Sequence, residues 1–280
     1  MSVFAVVAGR ATPTSARLGP VLTPAQAVAR LEPGDVALGR LDILPSLDGI
    51  EPGLWALDVL ERRGVVVLNG RDALATAHDK LATAEALACA GIPHPPTKHV
   101  APWLPMPPLE SPLVLKPRFG SWGRDVTRCD DDEDVERATE AARLRLWFNA
   151  AGAVAQRLVP PAGFDLRILV AAGQVVGAVM RRAAPGEWRT NVALGAHRIP
   201  VTPPQDACEL ALAAAEAVGG DLVGIDLLPL AGDGWIVLEV NGAVDFNSAY
   251  SFDTEIFSTV RRILLSRYTL APIPLDYSVA

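Results

Sequence analysis

Val223-Gly224-Ile225-Asp226-Leu227-Leu228-Pro229-Leu230, then Ala231-Gly232-Asp233-Gly234, then Trp235-Ile236-Val237-Leu238-Glu239-Val240-Asn241: this stretch decides the fold. Two apolar runs flank a turn rich in Gly and Asp, the pattern of a β-hairpin. With Leu230 paired to Trp235 across the turn, counting back sets Asp226 opposite Glu239. Asn241, two residues on, points to the same face. Like charges directly opposite destabilise a sheet, and the apolar neighbours leave little water to screen them. A positive charge is therefore expected between the acids. Two carboxylates and an amide oxygen are hard ligands that suit Mg²⁺ held with nucleotide phosphates. Read alone, the hairpin also fits a surface turn with solvated acids, although apolar residues on both faces argue for burial.

The rest of the composition narrows the classes. A chain of 280 residues can bury a sizeable core in two or three lobes. Its 50% hydrophobic and 20% charged content is that of an ordinary globular protein. No apolar run reaches the roughly eighteen residues of a membrane span. The apolar N-terminus lacks a basic leader and reads as a first buried strand rather than a signal peptide. Three cysteines without a Cys-x-x-Cys pattern argue against zinc or a disulfide framework and point to a reducing cytoplasm. The four histidines form no His-Glu-x-x-His. Net charge −7 argues against nucleic acid as the main partner, while leaving room for a local basic cleft.

Apolar runs at 3–8, 35–38 and 65–68 alternate with helical patterns at 24–31 and 54–63, giving a small α/β lobe over residues 1–75. Residues 76–112 are expected to connect: one Ala-rich helix over 73–90 ends at Gly91, followed by a proline-rich linker with an edge strand. A glycine-loop lobe spans 113–160 and a metal-binding lobe 161–280. The latter holds strands near 166–170 and 175–180, a helix over 204–218, the hairpin and a closing helix over 253–265.

Lys116 ends a buried strand and leads into Pro117-Arg118-Phe119-Gly120-Ser121-Trp122-Gly123-Arg124. Its glycines can turn backbone N–H groups toward an anion, to which the lysine adds charge. The loop matches neither a P-loop nor a dinucleotide fingerprint, and alone it also fits a plain hairpin turn. Lys80, taken alone, suits an exposed helix face. Asp165 and Arg167 share a strand face; Arg181 and Arg182 end the partner strand, and Glu187-Trp188-Arg189-Thr190-Asn191 follows. Each could be a solvated turn charge. Clustered near the carboxylate pair, they suggest sites for a polyphosphate and an acidic substrate.

In this order and spacing the motifs resemble the ATP-grasp superfamily, in particular its RimK and LysX group of ATP-dependent ligases. The resemblance runs from Leu68 to Tyr250: Asn69…Ala77-His-Asp79-Lys80…Thr83…Gly91-Ile-Pro-x-Pro-x-Thr97, Leu115-Lys116-Pro…Gly-Ser-Trp-Gly-Arg, Asp165-Leu-Arg167, Arg189-Thr-Asn191, and Asp226 with Glu239-Val-Asn241. Lys-Pro-x-x-Gly-Ser-Trp-Gly-Arg and Glu-Val-Asn-x-x-x-Asp-Phe look closest to the LysX branch. The resemblance implies an α/β (α+β) ATP-grasp fold and an ADP-forming acid–amino-acid ligase of amino-acid biosynthesis. Such an enzyme joins glutamate or 2-aminoadipate to a carboxylate of a small acidic carrier protein, peptide or small molecule. A RimK-type glutamate ligase acting on a protein tail or a pterin or flavin cofactor, and a non-catalytic ATP-binding protein, are the alternatives on the same scaffold.

By the same resemblance, Lys80 and Lys116 contact ATP phosphates under a loop of Gly120, Ser121, Trp122, Gly123 and Arg124. Arg157 and Leu158 form the adenine hinge, and Asp165 meets the ribose. Arg189, Thr190 and Asn191 border the nucleotide and acyl phosphate. Arg167, Arg182 and Asn191 are the candidate catalytic residues. Asp226, Glu239 and Asn241 hold Mg²⁺, as two ions, with Mn²⁺ as a substitute. A homodimer or homotetramer is implied, with no nucleic acid and no membrane as partner. Two features depart from the pattern: Arg157 stands where the family usually has Glu, and the first lobe is short.

Overall fold

The computed structural model describes residues 2–251 and 255–269. The first lobe runs β1 (Phe4–Val7), α1 (Pro13–Leu18), β2 (Val21–Leu22), α2 (Pro24–Arg30), β3 (Val36–Gly39), α3 (Leu54–Arg62) and β4 (Val66–Leu68). Its parallel sheet has the order β2-β1-β3-β4. Strands β1 and β3 are buried at every position, as expected where both faces are covered. Alternation then assigns the faces. Ala5, Val7 and Ala37 pack on Leu57 and Leu60 of α3. Phe4, Val6, Val36 and Leu38 join a second core with Leu169, Val179 and Leu222 of the large sheet described below.

Residues expected to form one Ala-rich helix form two, α4 (Arg71–His78) and α5 (Lys80–Cys89). The break is local chemistry. Asp79 is extended and its carboxylate accepts from the amides of Leu81 and Ala82, so it caps the second helix rather than continuing the first. The same carboxylate receives a fork from Arg118, at 2.8 Å from Nε. That break sets the direction of Lys80.

The second sheet has the order β5-β8-β6-β7, from β5 (Thr97–Val100), β6 (Leu113–Pro117), β7 (Thr127–Cys129) and β8 (Ala153–Arg157). Between β7 and β8 lie α6 (Asp132–Arg143) and α7 (Leu146–Ala151). The third sheet is antiparallel in the order β11-β10-β9-β12-β13. It comprises β9 (Phe164–Ala171), β10 (Gln174–Arg182), β11 (His197–Pro200), β12 (Leu222–Pro229) and β13 (Trp235–Asn241), with α8 (Gln205–Ala217) packed on one face. The closing helix α9 covers Ile256–Thr269; the expected start at Asp253 lies outside the described residues. It buries Ile256, Phe257, Val260, Ile263 and Leu264, one stripe at helical spacing. Each such side chain contributes roughly 1.5–3 kcal/mol.

Two β-bulges reset the registers that matter. In β12–β13 the partner of Trp235 is Pro229, not Leu230. An irregularity after Leu227 then adds one residue to β13, and Asp226 faces Glu239 as expected from the sequence. In β9–β10, Val175 pairs with Val170 but Gly177 pairs with Leu169. The extra residue inverts the facing of every later side chain in β10. Gly177 marks the spot because a Cβ there would stand 2.2 Å from the carbonyl oxygen of Tyr250.

Candidate active site

The second and third sheets, with Asp42 and Ile43 of the first lobe, enclose a cleft of about 420 Å³, a volume that suits a small-molecule ligand. Lys80, Lys116, Gly120, Ser121, Trp122, Gly123, Arg124, Arg157 and Leu158 line it from one side. Asp165, Arg167, Arg189, Thr190, Asn191, Asp226, Glu239 and Asn241 line it from the other. Arg182 is the exception among the residues singled out in the sequence. The bulge in β10 turns it to the opposite, exposed face. Arg181 takes the cleft position at 3% exposure, and Arg182, expected among the catalytic residues, does not reach the cleft.

The acids do not wait for a cation. Asp226, 2% exposed, accepts a fork from Arg167 at 2.6 and 2.7 Å and a third bond from Arg181 at 2.8 Å. Burial alone would raise its pKa, yet the two guanidinium groups hold it at about 2. Glu239 pairs with Lys80 Nζ at 2.6 Å, and this charge outweighs burial to keep it ionised. The positive charge expected between the acids is thus supplied by the chain itself. Three of about four acceptor positions on Asp226 are occupied. One remains, and with Glu239 and Asn241 on the cleft side of β13 it forms a hard-oxygen set that fits Mg²⁺.

Asp165 also differs from expectation. It is 0% exposed, capped by a fork from Arg181 and by the Thr190 hydroxyl, so it cannot reach a ribose directly. Its role is to hold Arg181, which bridges Asp165 and Asp226. At the hinge, the Arg157 amide donates to Pro96 O at 2.9 Å and the Leu158 amide to Pro112 O at 3.0 Å. Neither N–H is free to read a base; Leu158 instead offers an apolar surface.

The glycine loop is tied down from three directions. Lys80 Nζ donates to Gly120 O at 2.7 Å, Arg189 to Gly123 O at 3.0 Å, and Arg124 to Pro45 O at 3.3 Å. Gly123 has φ +71° and lies so close to Asn191 that a Cβ would stand 2.6 Å from its Oδ1. Arg124 stacks over Trp122, 4.9 Å from the ring centroid.

Lys116 is 6% exposed and donates to Gln156 Oε1 at 2.7 Å. Burial first, and then the charge of Lys80, lower its pKa to about 8. An anion bound beside it favours the protonated form and raises that value. Nucleotide binding should therefore take up a proton above pH 8, and affinity should weaken as pH climbs further. Titration calorimetry of Mg·AMP-PNP at pH 7 and pH 9 in two buffers of different ionisation enthalpy checks this. A flat affinity with no proton uptake contradicts it. His78, also buried in the cleft wall, is pushed down to about 4 by desolvation and stays neutral, bonded to Leu41 O.

Sequence reasoning missed Arg181, Gln156 and Asp79 as organisers of this site. Asp79 was visible as an N-cap residue inside an Ala-rich run; Arg181 was hidden by the bulge.

A family model for the RimK-like ATP-grasp domain matches residues 77–260. The chain belongs to this family. It is 29% identical over 219 residues to the glutamate–LysW ligase ArgX of Sulfurisphaera tokodaii, covering 76% of this chain and 78% of that protein. It is also 29% identical over 242 residues to the tetrahydromethanopterin:α-L-glutamate ligase of Methanosarcina acetivorans, covering 75% of each. In fold it matches D-alanine–D-alanine ligase of Bacillus anthracis with TM-score 0.70 over 96% of this chain and 99% of that one, at 14% identity. The protein is accordingly an ATP-grasp enzyme, an ATP-dependent carboxylate–amine ligase. Among the described residues no helix is long and apolar enough to cross a membrane.

Proposed function

We propose that this ligase attaches an acidic amino acid, glutamate or 2-aminoadipate, through its amine to a carboxylate of a small acidic carrier protein or peptide. The observation that carries the reading is the pairing of walls: Lys80, Lys116 and the Gly120 loop face the ladder of Arg181, Arg167, Asp226, Glu239 and Asn241. Cations sit where a triphosphate would lie, and a second group of cations sits where a carboxylate substrate would enter. Similarity to the LysW-directed ligase of S. tokodaii supports a carrier-protein acceptor. The equally similar pterin-directed relative keeps a small-molecule acceptor as the second reading.

In the reaction, an oxygen of the acceptor carboxylate attacks the γ-phosphorus of ATP and the bond to ADP breaks. The amine nitrogen then attacks the acyl carbon of the mixed anhydride and inorganic phosphate leaves. Lys80 and Lys116 hold the phosphates, and Arg167 presents a guanidinium edge to the oxygens that gain charge. Mg²⁺, held by Glu239, Asn241 and the remaining position on Asp226, would supply further charge neutralisation at the phosphates. Arg181 fixes Asp226 from below. The glycine loop, tied down by Lys80, Arg189 and Arg124, would limit the access of water to the acyl phosphate. No nucleophilic side chain is required, so positioning and electrostatics carry the rate.

The assay is ADP release, with mass analysis of the acceptor. ADP should form only when Mg²⁺, glutamate or 2-aminoadipate, and an acceptor such as a LysW protein or a glutamate-ended peptide are all present. The acceptor should gain one residue mass or more. ADP formation that ignores the amino acid would make the protein an ATPase and sink the ligation reading.

A further inference from the structure

Arg198 lies on the edge strand β11, where it pairs with Arg181, so both side chains stand on the cleft face. It is partly buried, and its Nε is closed to solvent with no acceptor among the described residues. It takes part in none of the ion pairs formed by those residues. The acids nearby are already committed: Asp165 to Arg181, Asp226 to Arg167 and Arg181, and Glu187 to Arg189. On this stretch of sheet three arginines, Arg198, Arg181 and Arg167, thus share the two carboxylates Asp165 and Asp226, leaving one positive charge in excess on Arg198, while Glu239 is paired with Lys80 and Asp245 with Arg40. A half-buried guanidinium beside another cation, without a counter-charge, is unfavourable unless an anion comes to it.

The transferring phosphate is not that anion. Glu239 on β13, paired with Lys80 of α5, marks its end of the sheet. Three strands separate β13 from β11, which places the two backbones roughly 19 Å apart at ~4.8 Å per strand. The apolar cleft residues Leu228 and Leu238 also lie on β12 and β13, the side suited to a base. Arg167, which is proposed to meet the transferring group, lies on β9, two spacings or roughly 10 Å from β11, so the β11 edge of the same cleft is left for the other substrates.

We infer that Arg198 is a specificity-determining residue that binds a carboxylate of a substrate other than the one being phosphorylated, making the ligase selective for acidic substrates. Its planar fork matches a carboxylate bidentately, which a lysine would do less well. The carboxylate could belong to the side chain of the incoming amino acid or to an acidic residue of the acceptor. The inference rests on the ligase reading above.

The test compares wild type with Arg198→Gln and Arg198→Lys, each first checked for unchanged circular dichroism and unchanged Mg·AMP-PNP affinity. L-glutamate, L-glutamine and a short glutamate-rich peptide are then titrated into each nucleotide-bound protein by calorimetry. Arg198→Gln should weaken binding of glutamate, or of the acidic peptide, at least about tenfold, the scale of one lost charge-assisted contact. Binding of glutamine should stay within about twofold, and Arg198→Lys should recover part of the loss. Weakened glutamate binding assigns the carboxylate to the amino acid; weakened peptide binding assigns it to the acceptor. Unchanged binding of both acidic ligands, their failure to bind the wild type, or a parallel loss of nucleotide affinity overturns the inference. Failure of the ligase reading itself would look different: wild-type protein would form no amide whatever the state of residue 198.

Discussion

Replacing Asp226 with alanine should lower ADP formation at least about 10²-fold and cost about 3–5 kcal/mol of folding stability. Both effects come from one carboxylate. It is buried and receives three guanidinium hydrogen bonds, so its removal strands Arg167 and Arg181 in the interior with only Asp165 between them. It also contributes one of the oxygens proposed to face Mg²⁺, and loss of a positioned electrostatic contact at a phosphoryl-transfer site typically lowers turnover by about 10²–10³-fold. Asp226→Asn separates the two effects, since it keeps the shape and one acceptor oxygen while removing the charge. It should be milder in stability and nearly as severe in turnover. Because pairing holds the carboxyl at about 2, its stabilising contribution is complete above the ordinary carboxylate range and is lost as pH falls from about 4 through 2. Urea unfolding with ADP-release kinetics measures all of this. An alanine variant within 0.5 kcal/mol of wild type on the usual ~±0.5 kcal/mol surface scale, and turning over normally, would contradict the account.

Arg181 and Arg182 should behave as opposites although they are adjacent. Arg181→Gln removes the bridge between Asp165 and Asp226 and leaves a fully buried carboxylate with the Thr190 hydroxyl as its partner. A stability loss of about 3–5 kcal/mol and a fall in ADP formation of at least about 10²-fold are expected. Arg182→Gln changes an exposed side chain on the other face and should stay within about ±0.5 kcal/mol, with turnover near wild type. The contrast follows from a single extra residue in β10. If Arg182→Gln proved the damaging substitution, the bulge between Val175 and Gly177 would be misplaced.

Much of this arrangement is legible in the chain itself. The facing of Asp226 and Glu239 could be counted from the turn, and it survived because a bulge in β13 offset a shifted pairing at Trp235. The same device in β10 had the opposite result and hid Arg181, since alternation alone assigns Arg182 to the cleft. Bulges are written in packing, here the approach of the Tyr250 backbone to Gly177, and that contact lies 73 residues apart in sequence. The break at Asp79 was open to reading as a cap, but an Ala-rich periodicity runs straight through it. The metal inference from facing acids needed neighbours that periodicity does not supply. Arg167 and Lys80 come from other strands and helices, and they neutralise what the hairpin alone leaves unpaired.

Mg·ATP is proposed to bind with its phosphates in one cleft, between Lys80, Lys116 and the Glu239–Asn241 face. A crystal structure with Mg²⁺ and AMP-PNP tests it most directly. The β- and γ-phosphates should lie within contact of both lysine Nζ atoms, with metal density on Glu239 and Asn241. A nucleotide bound elsewhere, or phosphates that leave the Lys80–Glu239 pair undisturbed, would contradict it.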